Sequence, residues 1–310
     1  MYLGVEIGGT KLQVGVCDRC GLLKHLERAA VVRARGRRGI LRQLEKIVPS
    51  VLSRYDVKAI GVGFGGPFDV ERGGAVTSHQ IAGWDGFPVR QWFERRFKLL
   101  TVVDNDQNCA GFAEAVCGAG RGKRSVFYVT VGTGIGGGFI LNGEIYNGRF
   151  GAAEIGHTRF CAPDQFGLNR KRSLPRKADF PTLESLASGL AIERGVSTIG
   201  QATRYLGVAV ANAIALLNPE IVIVGGGVSL AGDQFFRTLR QTVEHLIFPP
   251  FRGNCRIVPS KLGQAVVVVG AALLAARYCD RAPATRVPDS RQSLLHRVEK
   301  NRREKVSRLQ

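Results

Sequence analysis

The residues best suited to chemistry in this sequence are three short glycine clusters. Gly8-Gly9-Thr10-Lys11 follows the apolar run from Leu3 to Ile7. Gly132-Thr133-Gly134-Ile135-Gly136-Gly137-Gly138 follows the β-rich run from Ser125 to Val131, and Gly225-Gly226-Gly227 follows the run from Ile221 to Val224. A turn that lacks side chains lets successive backbone N–H groups close on an anion, so two such turns in opposite lobes could grip one polyphosphate from both sides. Alone, a glycine-rich hairpin is only a tight turn; the pairing and the third cluster favour anion binding. Two related motifs fail on context. Gly132-x-Gly134-x-x-Gly137 fits the dinucleotide fingerprint, which needs a helix after the turn. Here Phe139-Ile140-Leu141 instead continues a strand that turns at Asn142-Gly143. A P-loop would need Ser or Thr after Gly122-Lys123, and Arg124 stands there.

Strand, glycine turn and strand therefore occur twice, once in each half, between helical stretches at about 40–52, 107–117 and 201–217. Asn218-Pro219 stops the last of these, and a closing helix is predicted over about 265–276. The pattern predicts an α/β protein with two related lobes facing a shared cleft.

The chain has 310 residues, 45% of them hydrophobic and 22% charged, which excludes a disordered or fibrous class. Its 44 Lys+Arg against 25 Asp+Glu give a net charge of +19, raising the question of nucleic acid or polyanionic partners. Residues 281–310 hold nine Lys or Arg against Asp289, Glu299 and Glu304, a net +6. Further basic clusters lie at Arg33–Arg38 and Arg170–Lys177, and none of the clusters is interleaved with aromatics as a base-stacking surface would be. They read as solvated loops and a flexible or helical tail, and no nucleic acid partner is expected. The N-terminus has no export signal and the apolar run 265–276 is about a dozen residues, too short to span a bilayer, so a cytoplasmic protein without a membrane partner is expected. Seven scattered cysteines fit a reducing compartment, and Cys17-Asp18-Arg19-Cys20 reads as a hairpin turn.

Val5-Glu6-Ile7-Gly8-Gly9-Thr10-Lys11, Asp104-Asn105-Asp106-Gln107-Asn108, Val131 to Gly138, Glu154-Ile155-Gly156-His157 and Pro219 to Gly227 together resemble the successive motifs of the ROK family, sugar kinases and sugar-sensing repressors with the actin-like, hexokinase-like fold. Their order covers residues 1 to about 278. The resemblance implies a kinase of the glucokinase or N-acetylhexosamine kinase kind that transfers the γ-phosphoryl group of ATP, with Mg²⁺, to a hexose hydroxyl, expected to be the 6-OH. It assigns Gly8, Gly9, Thr10 and Lys11 to one phosphate loop, Gly132, Thr133 and Gly134 to the other, and Gly225, Gly226 and Gly227 to the floor under the adenosine. Glu6 would stand near the Mg²⁺. Gly66, Asn105, Asp106, Glu154, His157 and Glu184 would contact the sugar, and the protein would be a homodimer. The lobes would be 1–106 with about 262–280, and 107–261. Phosphoryl transfer needs positioning, charge neutralisation and a carboxylate to take the hydroxyl proton. Asp106, following the strand 100–103 and opening a helix, is the candidate base; a helix N-cap is the competing role.

Three departures from the family pattern stand out. The usual cysteine-rich zinc knuckle after the His is replaced by a stretch from Cys161 to Leu183 with one cysteine, so no structural zinc is expected. Glu6 replaces a common Asp. Gln80 replaces a common Asn, which leaves the identity of the sugar open. Two alternatives to a kinase are a ROK-type transcriptional regulator, although no helix-turn-helix precedes the first loop, and a catalytically silent sugar-binding protein. Polyphosphate is the alternative donor.

Overall fold

The computed structural model describes residues 1–69, 72–76, 81–149, 151–160 and 180–281. Gln80, Cys161, the basic cluster 170–177 and the tail beyond residue 281 lie outside these.

Strand β1 (Tyr2–Ile7) turns into β2 (Lys11–Cys17), and a second hairpin leads to β3 (Leu23–Ala30). The Cys17-to-Cys20 segment is that hairpin's turn, where Asp18 Oδ1 accepts from the N–H groups of Cys20 and Leu22 at 2.9 Å. Helix α1 (Gly36–Leu52) leads to β4 (Ala59–Phe64). A short hairpin of β5 (Phe68–Asp69) and β6 (Gly74–Ala75) precedes α2 (Val89–Phe97) and β7 (Leu100–Asn105). The sheet runs β3-β2-β1-β4-β7, antiparallel on the hairpin side and parallel from β1 to β7. Ile40, Leu44, Val48 and Val51 recur at helical spacing on α1 and are buried with Leu3, Val5, Val14, Ile60 and Val62 of the sheet.

Helix α3 (Asp106–Cys117) carries the chain to a second sheet built from β8 (Ser125–Val131), β9 (Ile135–Leu141) and β10 (Glu144–Ile145). Then come α4 (Leu183–Ala187), α5 (Gly189–Glu193), α6 (Ile199–Leu217), β11 (Ile221–Gly225), α7 (Asp233–Leu246), β12 (Arg256–Pro259) and α8 (Val266–Arg281). The order β10-β9-β8-β11-β12 repeats the first sheet's plan, with antiparallel hairpins and then parallel strands. Its core joins Phe127, Val129, Val222 and Val224 to Leu206, Val210 and Ile214 of α6 and Phe235 and Leu239 of α7. Helix α6 begins with a capping box of Thr198 and Gln201 and ends at a left-handed Asn218, as the Asn-Pro pair predicts.

Two expectations need correction. Gly136, Gly137 and Gly138 belong to strand β9, so the second turn shrinks to residues 132–134. The three glycines serve close packing instead: a Cβ at residue 138 would stand 2.6 Å from the Gln107 carbonyl oxygen, and one at 136 only 2.7 Å from Gln107 Cγ. The closing helix also runs five residues beyond the expected end, and the stretch Gly263–Arg281 is long and apolar enough to cross a bilayer. Its residues Val266 to Leu273, Ala275 and Ala276 are buried inside the protein, and the carbonyl of Ala271 sits where a side chain on Gly61 of β4 would be. That contact makes it a core helix.

The chain passes between the sheets along α3 and again between β12 and α8. One fully buried carboxylate joins these passages. Glu114 Oε1 accepts from Ser260 Oγ at 2.6 Å and from the N–H groups of Lys261 and Leu262 at 2.9 Å, while Oε2 accepts from Ala119 N at 2.7 Å. Four donors compensate the desolvation that an unpaired buried carboxylate would suffer.

Candidate active site

The first glycine turn lies where β1 and β4 end. Gly8 N donates to Lys11 O at 3.0 Å and Gly65 N to Ile7 O at 2.9 Å, which draws the turn after β4 against the turn after β1. The next parallel strand, β7, ends beside them, and its last residue settles the capping question. Asn105 has extended backbone geometry and its Oδ1 accepts from Gln107 N at 2.8 Å, so Asn105 is the N-cap and Asp106 is the first helical residue. Asp106 is thereby spared the capping role. Its Oδ2 would be 3.2 Å from a Cβ on Gly65, placing the carboxylate over the Gly65-Gly66 turn. Asn105 Nδ2 donates to Gly66 O at 3.1 Å, holding that same turn.

Burial pushes the Asp106 carboxyl up to about 7, and the neighbouring charge of Glu6 adds to the effect, while hydrogen bonds from Gln107 and the charge of Lys11 oppose it. Asp106 is thus half ionised near neutral pH, the range in which a general base works well. Glu6 is only 3% exposed and its carboxyl is also raised by burial, against the pull of Lys11, Gln13 and Arg28. Both of its oxygens are engaged: Lys11 Nζ lies 2.9 Å from Oε1, and Gln13 Nε2 donates to Oε2. Gln13 Nε2 also donates to Gln264 O at 2.9 Å, and Arg28 Nε donates to Gln13 Oε1 at 2.9 Å. The relay Arg28–Gln13–Glu6–Lys11 therefore stands behind the first turn.

A second relay stands behind the helix. Asp104, buried and with its carboxyl raised by that burial, accepts from Asn105 N at 2.7 Å and Asn108 Nδ2 at 2.8 Å. Asn108 Nδ2 donates in turn to Asn147 Oδ1 at 2.8 Å, tying α3 to the segment after β10.

In the second sheet, Gly132 N donates to Gly134 O at 2.9 Å, and Gly189 N, at the start of α5, donates to Gly132 O at 2.7 Å. Glu184 on α4 accepts from Ile135 N at 2.8 Å, its carboxylate lying against Gly134. Gly226, at φ +89°, lies against the carbonyl of Val131 where a side chain would collide, so the third glycine cluster adjoins the second turn. Gly132 and Gly227 open onto free space. Glu154 precedes and His157 ends a single 3-10 turn, Ile155–His157, with His157 N donating to Glu154 O at 3.0 Å. Both side chains are exposed. Gly156 abuts the carbonyl of Ile135, which places the 3-10 turn at the start of β9.

The structure thus gathers Glu6, Gly8, Gly66, Asn105 and Asp106 around one turn, and Gly132, Gly134, Glu184 and Gly226 around the other. Gln107 bridges the groups, with its side chain packed on Gly136. Sequence reasoning missed Gln13, Arg28 and Glu114. Gln13 is the one polar residue in the apolar run Leu12 to Val16, and Glu114 interrupts the apolar stretch Cys109 to Cys117; each was a visible signal of an internal polar partner.

The sequence matches the ROK family over residues 2–203 and 187–278. It is 30% identical over 303 residues to a glucokinase of Thermotoga maritima, covering 87% of this chain and 95% of that protein. Among solved structures, a ROK family glucokinase from Streptomyces griseus in complex with glucose and AMPPNP matches with a TM-score of 0.75 and 30% identity, over 89% of this chain and 99% of that one. A ROK hexokinase from Thermus thermophilus matches with a TM-score of 0.76 and 27% identity, over 91% and 99%. The duplicated sheets are those of the actin-like ATPase fold, and the chain belongs to the ROK family.

Proposed function

We propose that this chain, a sugar kinase by family and fold, transfers the γ-phosphoryl group of ATP to the 6-hydroxyl of a hexose or N-acetylhexosamine, with Asp106 as general base. The observation that carries this reading is the Asp106 carboxylate: freed from capping by Asn105, set over the Gly65-Gly66 turn beside the first glycine turn, and titrating near 7. A carboxylate so placed accepts the proton of the attacking hydroxyl as the new oxygen–phosphorus bond forms and the γ-phosphorus bond to the departing ADP oxygen breaks. The glycine turns at 8–11 and 132–134 cradle the phosphates with backbone N–H groups, and Gly225 to Gly227 lie under the adenosine. Gly66, Asn105, Glu154, His157 and Glu184 present polar groups to the sugar ring.

Mg²⁺ takes oxygen ligands, commonly one or two carboxylates together with substrate phosphates. Glu6, a carboxylate set behind the turn at Gly8, would serve through water or by exchanging Lys11 or Gln13, which take its two oxygens in this structure; among the described residues there is no group of three or more ligating side chains. When bound, the metal supplies charge neutralisation on the phosphates. The cleft lies between a lobe of residues 1–106 with 262–280 and a lobe of residues 107–261, in a cytoplasmic homodimer.

The test is a coupled ADP-release assay across glucose, N-acetylglucosamine, N-acetylmannosamine, fructose and allose. Turnover with at least one of them is expected, and none with any of them would sink the kinase reading.

A further inference from the structure

The first glycine turn has a cation in its sequence, Lys11, but that ammonium is committed to Glu6 at 2.9 Å. Arg28, at the other end of the relay behind this turn, is committed to Gln13. Arg33 differs. It opens a 3-10 turn (Arg33–Arg35) just after β3, a segment fastened to the glycine turn by the hydrogen bond from Val31 N to Thr10 O at 3.0 Å. Its Nε donates to Gly9 O at 3.0 Å, while its two terminal nitrogens have no partner among the described residues. A guanidinium carries five N–H donors in a rigid fork that matches phosphate oxygens, and one tethered through Nε keeps four of them beside whatever the turn holds.

We infer that Arg33 is a phosphate-binding residue of this kinase: anchored on the Gly9 carbonyl, it lays its guanidinium along the phosphate chain that the Gly8–Lys11 turn cradles. The inference rests on the reading of that turn as a phosphate loop. It assigns the positive charge seen by the nucleotide to a side chain from β3's far end, in a basic cluster that the sequence alone reads as solvated loop. The ligand chemistry is a linear phosphate chain, shared by nucleoside triphosphates and inorganic triphosphate, and no contact with base or sugar is implied.

Calorimetric titration of the full chain with inorganic triphosphate, ATP and adenosine tests this. Arg33→Ala is expected to weaken triphosphate and ATP binding about tenfold, as loss of one charge-assisted contact does, and to leave adenosine binding unchanged. Arg33→Lys keeps the charge and is expected to fall between the two. Arg33→Gln keeps an N–H for Gly9 without the charge; if it binds triphosphate as tightly as the unaltered protein, Arg33 only braces the loop and the inference fails. Equal triphosphate affinity in Arg33→Ala also overturns it. Should the unaltered protein bind neither triphosphate nor ATP, the phosphate-loop reading itself falls, and the inference with it.

Discussion

The two sheets share one plan, yet they hold their glycine turns by different means. Behind the first turn stands a chain of charged and polar side chains, Arg28–Gln13–Glu6–Lys11, ending beside Asp106. The second turn is held mainly by main chain: Gly189 N on Gly132 O, Gly132 N on Gly134 O and the Val131 carbonyl against Gly226, with Glu184 as the one side chain. Charges behind a turn set the local field and so reach the titration of a neighbouring carboxylate. Main-chain bonds fix shape and contribute oriented dipoles, but they bring no titratable charge of their own. Both copies use main-chain bonds to shape their turn, and the first adds a chain of buried charged and polar side chains behind it.

The largest effect expected from this difference lies at Asp106. Asp106→Asn should lower kcat by about 10²–10⁴, as loss of a general base does, with sugar affinity by calorimetry little changed. In the unaltered protein kcat/KM should fall as pH drops through about 7, because the base must be ionised. The stability consequence has the opposite sense. A carboxyl raised in the folded state makes folding less favourable once it ionises, so Asp106→Asn should stabilise the protein above pH 7, by on the order of 1–3 kcal/mol. That gain should shrink as pH falls and vanish below the ordinary aspartate range near 3.8. Denaturant titrations at pH 8 and pH 4 check the sign; an acid limb of kcat/KM well below pH 6 would mean that the Asp106 carboxyl is not held near 7.

A smaller effect is expected at Gln13, which separates the two modes of bracing. Gln13→Leu leaves Glu6 Oε2 buried without its donor and Arg28 Nε without its acceptor. Leaving such groups unsatisfied should cost about 2–3 kcal/mol in urea unfolding. If the first turn's side chains matter through their field on the reacting centre, kcat should fall more than sugar KM rises. An unchanged kcat with the stability loss intact would reduce the relay to scaffolding and erase the contrast between the halves.

Much of the fold was legible in the sequence, and what was not has a physical cause. The strands on either side of the first two glycine turns, the Asn-Pro stop of α6, and the placing of Asp106 at a strand-to-helix junction follow from local pattern, because turn chemistry and apolar periodicity are local properties. Whether Asn105 or Asp106 caps α3 turns on one backbone dihedral, and residue type alone does not separate two good capping residues. Gly136 to Gly138 look like turn residues, but their use is tertiary: Gln107 packs against Gly136 and its carbonyl against Gly138. Glu6, Gln13 and Arg28 lie on three successive strands and meet only through the cross-strand register, Glu6 opposite Gln13 and Gln13 opposite Arg28, while Gln264 comes from 251 residues further on.

The smallest expected effect is the one that most sharpens the contrast. In this structure Glu184 spends an oxygen on Ile135 N, where the second turn enters β9, although the family resemblance places it on the sugar. Glu184→Gln keeps one acceptor oxygen in nearly the same shape, loses the charge and turns the other oxygen into an N–H donor. If the side chain braces the turn, a neutral acceptor does nearly as well, with a stability cost of about 0.5–1 kcal/mol, ATP KM rising a few-fold and sugar KM steady. If instead the carboxylate leaves Ile135 to accept from a sugar hydroxyl, the charge matters at the sugar, and sugar KM should rise about tenfold while ATP KM stays put. Measuring both constants on one variant distinguishes the two, because a main-chain-braced turn and a sugar-reading carboxylate fail on different substrates.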